Sequence, residues 1–423
     1  MASTLTAPRG TQDILPPQSV RWSVLEARAR EIAGRFGYAE IRTPMFESTE
    51  LFIRGVGETT DIVEKEMYTF IDKGERSMTL RPEWTAPVVR AALEHKLFAD
   101  GARRFFYIGP IFRYERPQKG RYRQAHQFGV ECFGFSAPEA DAEVIALAWE
   151  LVRSHGINDA VLNLNTIGDV HCRPRFRDAL LQHFRPHLSE LSADSQRRLE
   201  RNPMRILDSK DAADTPFITS APTLMSLLCD DCRMHFEAVK CALTSAGIPF
   251  VVNERIVRGL DYYSRTVFEI TSSLLGAQST VCGGGRYDEL VHSLGGPPMP
   301  AVGFGLGLER FLMMLDALGE PVAESRCGIQ AIALGAVARA HMFSIVSDLR
   351  ACTQDPVFMD FGERKILAHL KVADRNAARF ALILGSEELT SQEIVLRDLQ
   401  TRQERRLPLG SGKELCAAIA ELE

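Results

Sequence analysis

RFFYIGPIFRYERPQKGRYRQAHQFGVECFGF, residues 104–135, is the stretch on which the fold turns. Two apolar runs, 104–108 and 111–114, stand before a basic loop bearing Pro117 and Gly120, and a third run, 125–135, follows it. Apolar and aromatic runs joined by a polar, Gly-containing loop predict antiparallel strands. Side chains alternate between the faces of a strand. Gln127 and Glu131 therefore project together with Gly129 between them, while Phe128, Val130 and Cys132 face the other way. A small residue between two polar ones on an otherwise apolar strand predicts room for a ligand above the sheet. Residues 116–123 include four cations, Arg116, Lys119, Arg121 and Arg123, which would suit a phosphate ester or a nucleic-acid end. The bland alternatives are a solvated sheet face and an ordinary basic hairpin.

Further out on the N-terminal side, 68–71 and 77–81 read as short strands, and 38–45 as a strand stopped at Pro44. If the 77–81 strand persists, Arg81, Glu83 and Thr85 share one face. One helix interrupts this region, roughly 86–97, and an earlier one is marked by Val20, Val24, Leu25, Ala29 and Ile32 at three- and four-residue intervals. This is an antiparallel sheet with few helices, not a run of alternating parallel units. On the C-terminal side come a helix at 139–155, a strand at 160–166 and a polar, mostly helical insertion over about 170–250. Strands are expected at 251–257 and 264–275, and a helix at 308–318 follows Gly303, Gly305 and Gly307. Composition then shifts, and 321–327 reads as a linker. Beyond it, strands at 329–334, 356–360, 379–384, 393–398 and 402–407 alternate with helices at 336–350 and 363–374 before a terminal helix. The expected class is α+β. A catalytic domain, 1–320, carries the helical insertion, and a small α/β domain spans 328–423.

A chain of 423 residues suggests two or three domains. Its 50 Lys and Arg against 55 Asp and Glu give a net charge of −5, which excludes a polybasic protein but not one with a local cationic groove. No run approaches the length needed to span a membrane, and the first residues lack a secretory pattern. Nine cysteines are too sparse for a disulfide framework. The expected location is the cytoplasm.

Three further clusters carry chemistry. Arg258-Gly259-Leu260-Asp261-Tyr262-Tyr263 joins a guanidinium, a carboxylate and two phenols beside a β-rich run. Gly283-Gly284-Gly285-Arg286-Tyr287-Asp288 is the second. The third, Gly303 to Arg310, is glycine-rich before a helix, but no βαβ unit surrounds it, so a dinucleotide fingerprint does not fit. Close backbone approach to a ligand, with Arg310 reaching phosphate, fits better. No P-loop is present. Cys229 and Cys232, with His235 and Cys241 nearby, have a zinc-like Cys-x2-Cys spacing. On a helix, however, these cysteines share a face with apolar neighbours and read as small core residues. No metal ligands are assigned and no zinc is expected.

Together these motifs resemble the bacterial histidyl-tRNA synthetase family of class II aminoacyl-tRNA synthetases, over nearly the whole chain. Pro8-Arg9-Gly10-Thr11-Gln12-Asp13 is similar to its N-terminal signature, and 37–44 to class II motif 1, which in the family helps build a dimer interface. Phe112-Arg113-Tyr114-Glu115 through Glu131 resembles motif 2, and Gly303 to Arg310 motif 3. The segments 258–263, continuing through Glu269, and 282–288 resemble the histidine-specific signatures.

The resemblance implies a class II antiparallel catalytic core and a C-terminal anticodon-binding domain. It implies activation of L-histidine with ATP to histidyl-adenylate plus pyrophosphate, then transfer to the terminal ribose of tRNA-His by a homodimer, with Mg²⁺ on the nucleotide. By the same resemblance Arg258 and Arg113 are catalytic. Glu83, Thr85, Gln127, Glu131, Tyr262 and Tyr263 bind histidine, and Arg113, Glu115, Arg121 and Arg310 bind ATP. Arg116, Gln118, Lys119 and Arg123 meet the tRNA acceptor end. Two positions depart from the family pattern: Trp84 stands where Gly is usual, and Ala125 where an aromatic stacks on adenine. The alternative is a non-charging paralogue, the regulatory subunit of ATP phosphoribosyltransferase. That protein usually lacks the C-terminal domain and degrades the 258–263 segment, and both are intact here.

Overall fold

A computed structural model of the chain describes residues 5–58, 60–118, 120–209, 211–256, 260–278, 280–319 and 326–421. The chain forms two compact units, 1–320 and 321–423. The expected linker, apart from Arg326 and Cys327, lies outside the described residues.

The first unit contains eleven strands among the described residues. They are β1 (Ala39–Glu40), β2 (Phe46–Ser48), β3 (Tyr68–Ile71), β4 (Ser77–Leu80), β5 (Arg103–Phe112), β6 (Gln124–Phe133), β7 (Val161–Thr166), β8 (Val251–Val252), β9 (Ser264–Thr271), β10 (Thr280–Arg286) and β11 (Ala301–Gly307). Eight form the main sheet in the order β1-β5-β6-β11-β10-β9-β7-β8, and β2-β4-β3 form a small second sheet. Only the edge pairs β1–β5 and β7–β8 are parallel.

The two expected runs at 104–108 and 111–114 are one strand, β5, paired with β6 from Arg103↔Phe133 to Phe112↔Gln124. Pro110 is tolerated because β1 pairs only at Phe105 and Phe106, so no strand needs the missing N–H on that side of β5, where Arg81 instead bonds the Pro110 carbonyl. Among the described residues the strands expected at 38–45 and 251–257 shrink to two residues each. In the first helix, Gln18–Arg35, the buried stripe is Trp22, Leu25, Ala29 and Ile32, whereas Val20 and Val24 face outward.

Sequence periodicity did not assign β10 and β11, because glycine is a poor strand former. Here the glycines let backbones and side chains meet. Gly283 pairs with Gly305 and Gly285 with Gly303, and a Cβ at Gly284 or Gly303 would collide with a neighbouring carbonyl oxygen. One face of the main sheet packs on the helices Pro138–Arg153 and Asp230–Ser245 through Phe128, Val130, Phe268, Phe304, Leu147 and Val239. The opposite face carries the site. The insertion between β7 and β8 carries the helices Arg173–Phe184, Ala193–Arg201, Thr215–Ser220 and Asp230–Ser245.

In the second unit β12 (Ile329–Ala333), β13 (Val357–Met359), β14 (Phe380–Leu384), β15 (Glu393–Asp398) and β16 (Glu404–Pro408) lie in the order β13-β12-β14-β15-β16. The first three run parallel and the last two pair antiparallel. Helices Ala336–Cys352 and Gly412–Ala420 bury Met342, Val346, Leu415 and Ile419 on one face.

Candidate active site

Behind Leu80 the chain leaves β4 and turns into the helix Thr85–Glu94. Glu83 makes that turn. Its buried carboxylate accepts the N–H groups of Thr85 at 2.7 Å and Ala86 at 2.8 Å, two of the donors that a helix start leaves unpaired. The strand therefore does not persist to residue 85. Glu83 and Thr85 come together through helix capping, and Arg81 turns away. Its guanidinium donates to the carbonyls of Thr43 at 2.9 Å and Pro110 at 2.8 Å and covers the Trp84 ring.

Glu131, 1% exposed on β6, is the floor of a cavity of about 130 Å³. It accepts hydrogen bonds from Thr85 Oγ1 at 2.7 Å, from Tyr107 Oη at 3.2 Å and from Tyr287 Oη. Burial pushes its carboxyl up to about 8, outweighing the three hydroxyls that favour its ionised form. Burial also raises Glu83. Gln127, Tyr262 and Tyr263 join the same lining, as does Arg113, and Tyr262 Oη reaches Thr85 Oγ1 at 3.4 Å. All six expected histidine-binding residues are thus gathered in one cavity.

The alternation on β6 holds, but the space over Gly129 is not open. The Tyr107 hydroxyl occupies it, and a Cβ there would run into that oxygen. Tyr107 and Tyr287 also belong to the site: Tyr287 stands in the 283–288 cluster with no binding role of its own expected there, and Tyr107 carries no expected role. The signal for Tyr107 was available: it sits opposite Gly129 in the β5–β6 register, so a glycine facing a phenol marks where the ring lies down.

A second cluster adjoins this floor. Arg113 Nε donates to the Pro82 carbonyl at 2.8 Å, Arg121 pairs with Glu115 at 3.1 Å, and Arg113 lies 3.8 Å from the same carboxylate. Arg310 donates to the carbonyls of Thr280 at 2.7 Å and Gly120 at 3.2 Å. Its pKa is lowered by burial first, then by the nearby charges of Arg121 and Arg113, with Glu115 and Glu269 opposing. The four expected ATP-binding residues therefore converge. Glu309, next to Arg310, accepts the His126 backbone N–H at 2.9 Å and fixes the helix Leu308–Ala317 against β6.

Arg116 and Gln118 are exposed on the hairpin. Arg123 is at its root, stacked over Tyr114 and bonded through its backbone N–H to the Gly10 carbonyl at 2.7 Å. Arg258 and Lys119 lie outside the described residues. Asp261, from the same signature as Arg258, pairs with Arg205 at 2.9 Å and Asn202 at 3.3 Å, tying the insertion to the segment that carries Tyr262 and Tyr263.

Residues 10–311 match the Histidyl-tRNA synthetase family and residues 332–419 the Anticodon binding domain family. The chain belongs to the histidyl-tRNA synthetase family. The α+β core and the C-terminal anticodon-binding domain are those of a class II aminoacyl-tRNA synthetase, an ATP-binding ligase class. A histidine--tRNA ligase of Moorella thermoacetica is 49% identical over 416 residues, covering 98% of both chains. The crystal structure of apo Staphylococcus aureus histidyl-tRNA synthetase superposes with a TM-score of 0.81 at 37% identity, covering 96% of this chain and 98% of that one. An ATP phosphoribosyltransferase regulatory subunit/histidyl-tRNA synthetase from Bacillus halodurans C shares the fold, with a TM-score of 0.62 at 21% identity over 91% of this chain and 100% of its own. No described helix is long and apolar enough to cross a membrane.

Proposed function

We propose that the chain is a histidine--tRNA ligase that activates L-histidine with ATP and transfers it to tRNA-His. One observation carries the reading: a buried floor of carboxylates and hydroxyls adjoins a cluster of three guanidiniums. The floor suits an ammonium and an imidazole N–H, and the cluster suits phosphates. Glu83, Thr85 and Gln127 hold the α-amino group, while Glu131, Tyr262 and Tyr263 hold the imidazole. The histidine carboxylate oxygen attacks the α-phosphorus, the new O–P bond forms, and the bond to the departing pyrophosphate breaks. Arg113 meets the charge on the α-phosphate and Arg310 the terminal phosphate, as fixed cations that need no reorganisation. Arg258, by family resemblance, faces Arg113 across the reacting phosphorus.

Mg²⁺ is bound largely by the nucleotide. The oxygen donors near the guanidiniums, Glu115 and Glu269, fit such a hard cation, which would neutralise phosphate charge there. Arg116, Gln118, Lys119 and Arg123 belong to the loop that meets the acceptor end, with the domain from residue 328 reading the anticodon. Exposed apolar side chains on the first helix and small sheet, Val20, Val24, Phe46 and Ile71 among them, support a homodimer. The working compartment is the cytoplasm. The regulatory-subunit alternative has less behind it, given the near-full-length likeness to ligases and the matched anticodon-binding domain. ATP–pyrophosphate exchange across the twenty amino acids, followed by charging of tRNA-His, tests the reading. Exchange with histidine alone is expected, and exchange with none would overturn it.

A further inference from the structure

The cysteines that read as core filler in the sequence are brought together with other partners. His235 leaves the group to pair with the buried Asp141. Cys229 and Cys232 instead meet Asp169 and Cys172, and the four ligand atoms all lie within 4.8 Å of one another. The signal is a doubled spacing. Asp169-Val-His-Cys172 and Cys229-Asp-Asp-Cys232 each separate two ligands by two residues, and a search confined to the neighbourhood of Cys229 misses the first pair.

We propose that these residues bind one zinc ion in a structural Asp-Cys₃ site. Four ligands with none left over for substrate is the closed arrangement of a structural zinc, and at Zn–S distances of about 2.3 Å the ligand atoms need only close in slightly. The surroundings suit thiolates. Cys229 caps the helix Asp230–Ser245 and Cys232 lies in its first turn, where the helix dipole favours negative charge. The Cys229 N–H points at Cys172 Sγ at 3.2 Å. Asp169 accepts the N–H groups of His171 at 3.0 Å and Cys172 at 3.2 Å, while Arg265 lies 3.9 Å from its other oxygen. Gly168, at φ +61°, makes the turn in a left-handed conformation against the Cys172 side chain, where a Cβ would be crowded out. Cys172 and Cys232 are buried.

The ion would act as a clamp. The turn at Gly168 accepts the Arg265 N–H, and the Ile167 N–H returns to the Arg265 carbonyl at 2.8 Å. Zinc here would pin the insertion helix to Arg265 of β9, two residues beyond Tyr263 of the cavity lining.

The test uses the full chain, purified without chelator from zinc-supplemented culture. Elemental and native mass spectrometry should find one zinc per chain, released when the thiols are titrated with a mercurial. Cys172→Ser should weaken zinc binding by at least about tenfold, while Cys241→Ser, outside the group, should keep it. Should Cys172→Ser fail to fold, the cobalt-substituted protein decides. It should show thiolate-to-cobalt charge-transfer bands, and Asp169→Cys should intensify them by about one third as a fourth thiolate joins three. Absence of both zinc and cobalt, a disulfide among the three cysteines, or bands unchanged by Asp169→Cys would overturn the proposal.

Discussion

At the floor of the cleft two carboxylates, Glu83 and Glu131, are buried among hydroxyls and backbone N–H groups, and burial holds both toward their neutral forms. At the rim three guanidiniums crowd around Glu115 and a few carbonyl oxygens, and burial with mutual repulsion lowers the pKa of Arg310. Each half is short of charge of the opposite sign. The floor gains it from a ligand that donates hydrogen bonds, the rim from one that accepts them. One molecule carrying an ammonium and a second carrying phosphates satisfy both halves at once, which separates amino-acid recognition from phosphoryl chemistry by position.

The largest expected effect falls on the rim. Arg113→Ala should lower kcat/KM for pyrophosphate exchange by about 10²–10³-fold, the scale for removing one donor that meets developing charge. The histidine KM should change far less. A histidine KM that rises in the same proportion would mean that Arg113 serves the floor as well, and the division would fail.

Gly303→Ala attacks the floor without removing an ionisable group. The added methyl would press on Glu131 and the Val130 carbonyl, costing about 1–3 kcal/mol by overpacking. A lower Tm with a raised histidine KM and unchanged ATP binding is the expected pattern. A matching loss of ATP affinity would mean that the two halves move together.

How legible these halves were differs for a physical reason. The C-terminal α/β unit reads almost element by element, because its strands are buried apolar runs and its helices carry regular stripes. Near the cavity the rules invert. Glycines build β10 and β11 where propensity argues against strands, and Glu83 is spent on a helix start rather than on a strand face. The residue types at the site were readable, and their neighbours in the fold were not. Thus Tyr107 is placed only by the β5–β6 register, Tyr287 stands in its glycine-rich cluster without a role of its own, and Asp169 and Cys172 meet a cysteine pair that begins 57 residues beyond Cys172.

The proton on Glu131 offers a finer probe. Its carboxyl rises from 4.5 to about 8 on folding, so the folded chain keeps a proton that the unfolded chain gives up. The resulting stability is fully present below pH 4.5 and declines as pH rises toward 8. Glu131→Gln should flatten that part of the stability profile. In the native protein the histidine KM should fall as pH rises from about 6.5 to about 8, as the carboxylate becomes free to accept the imidazole N–H. The variant should lose this dependence. A slope retained in Glu131→Gln would assign the titration to another group.

The smallest effect concerns the two departures from the family pattern. Trp84 is buried, stacked nearly parallel on Tyr107 with centroids 4.7 Å apart, and its edge fills the space beside Gly109. Ala125 pairs with Ile111, one alternate position along the same strands, and is only partly buried. The indole is therefore sandwiched between the Arg81 guanidinium and the Tyr107 ring, whose hydroxyl bonds Glu131, and offers no open face to adenine. Restoring the ring with Ala125→Phe should tighten ATP binding by about 0.5–1.5 kcal/mol, the worth of an aromatic stacking contact, and leave the histidine KM alone. Trp84→Phe should lower Tm and raise the histidine KM instead. Because the two side chains work on different halves, the double variant should show the sum of the separate effects on ATP affinity to within about 0.5 kcal/mol. A larger coupling in a double-mutant cycle would mean that the indole swings toward the nucleotide, and that floor and rim share it.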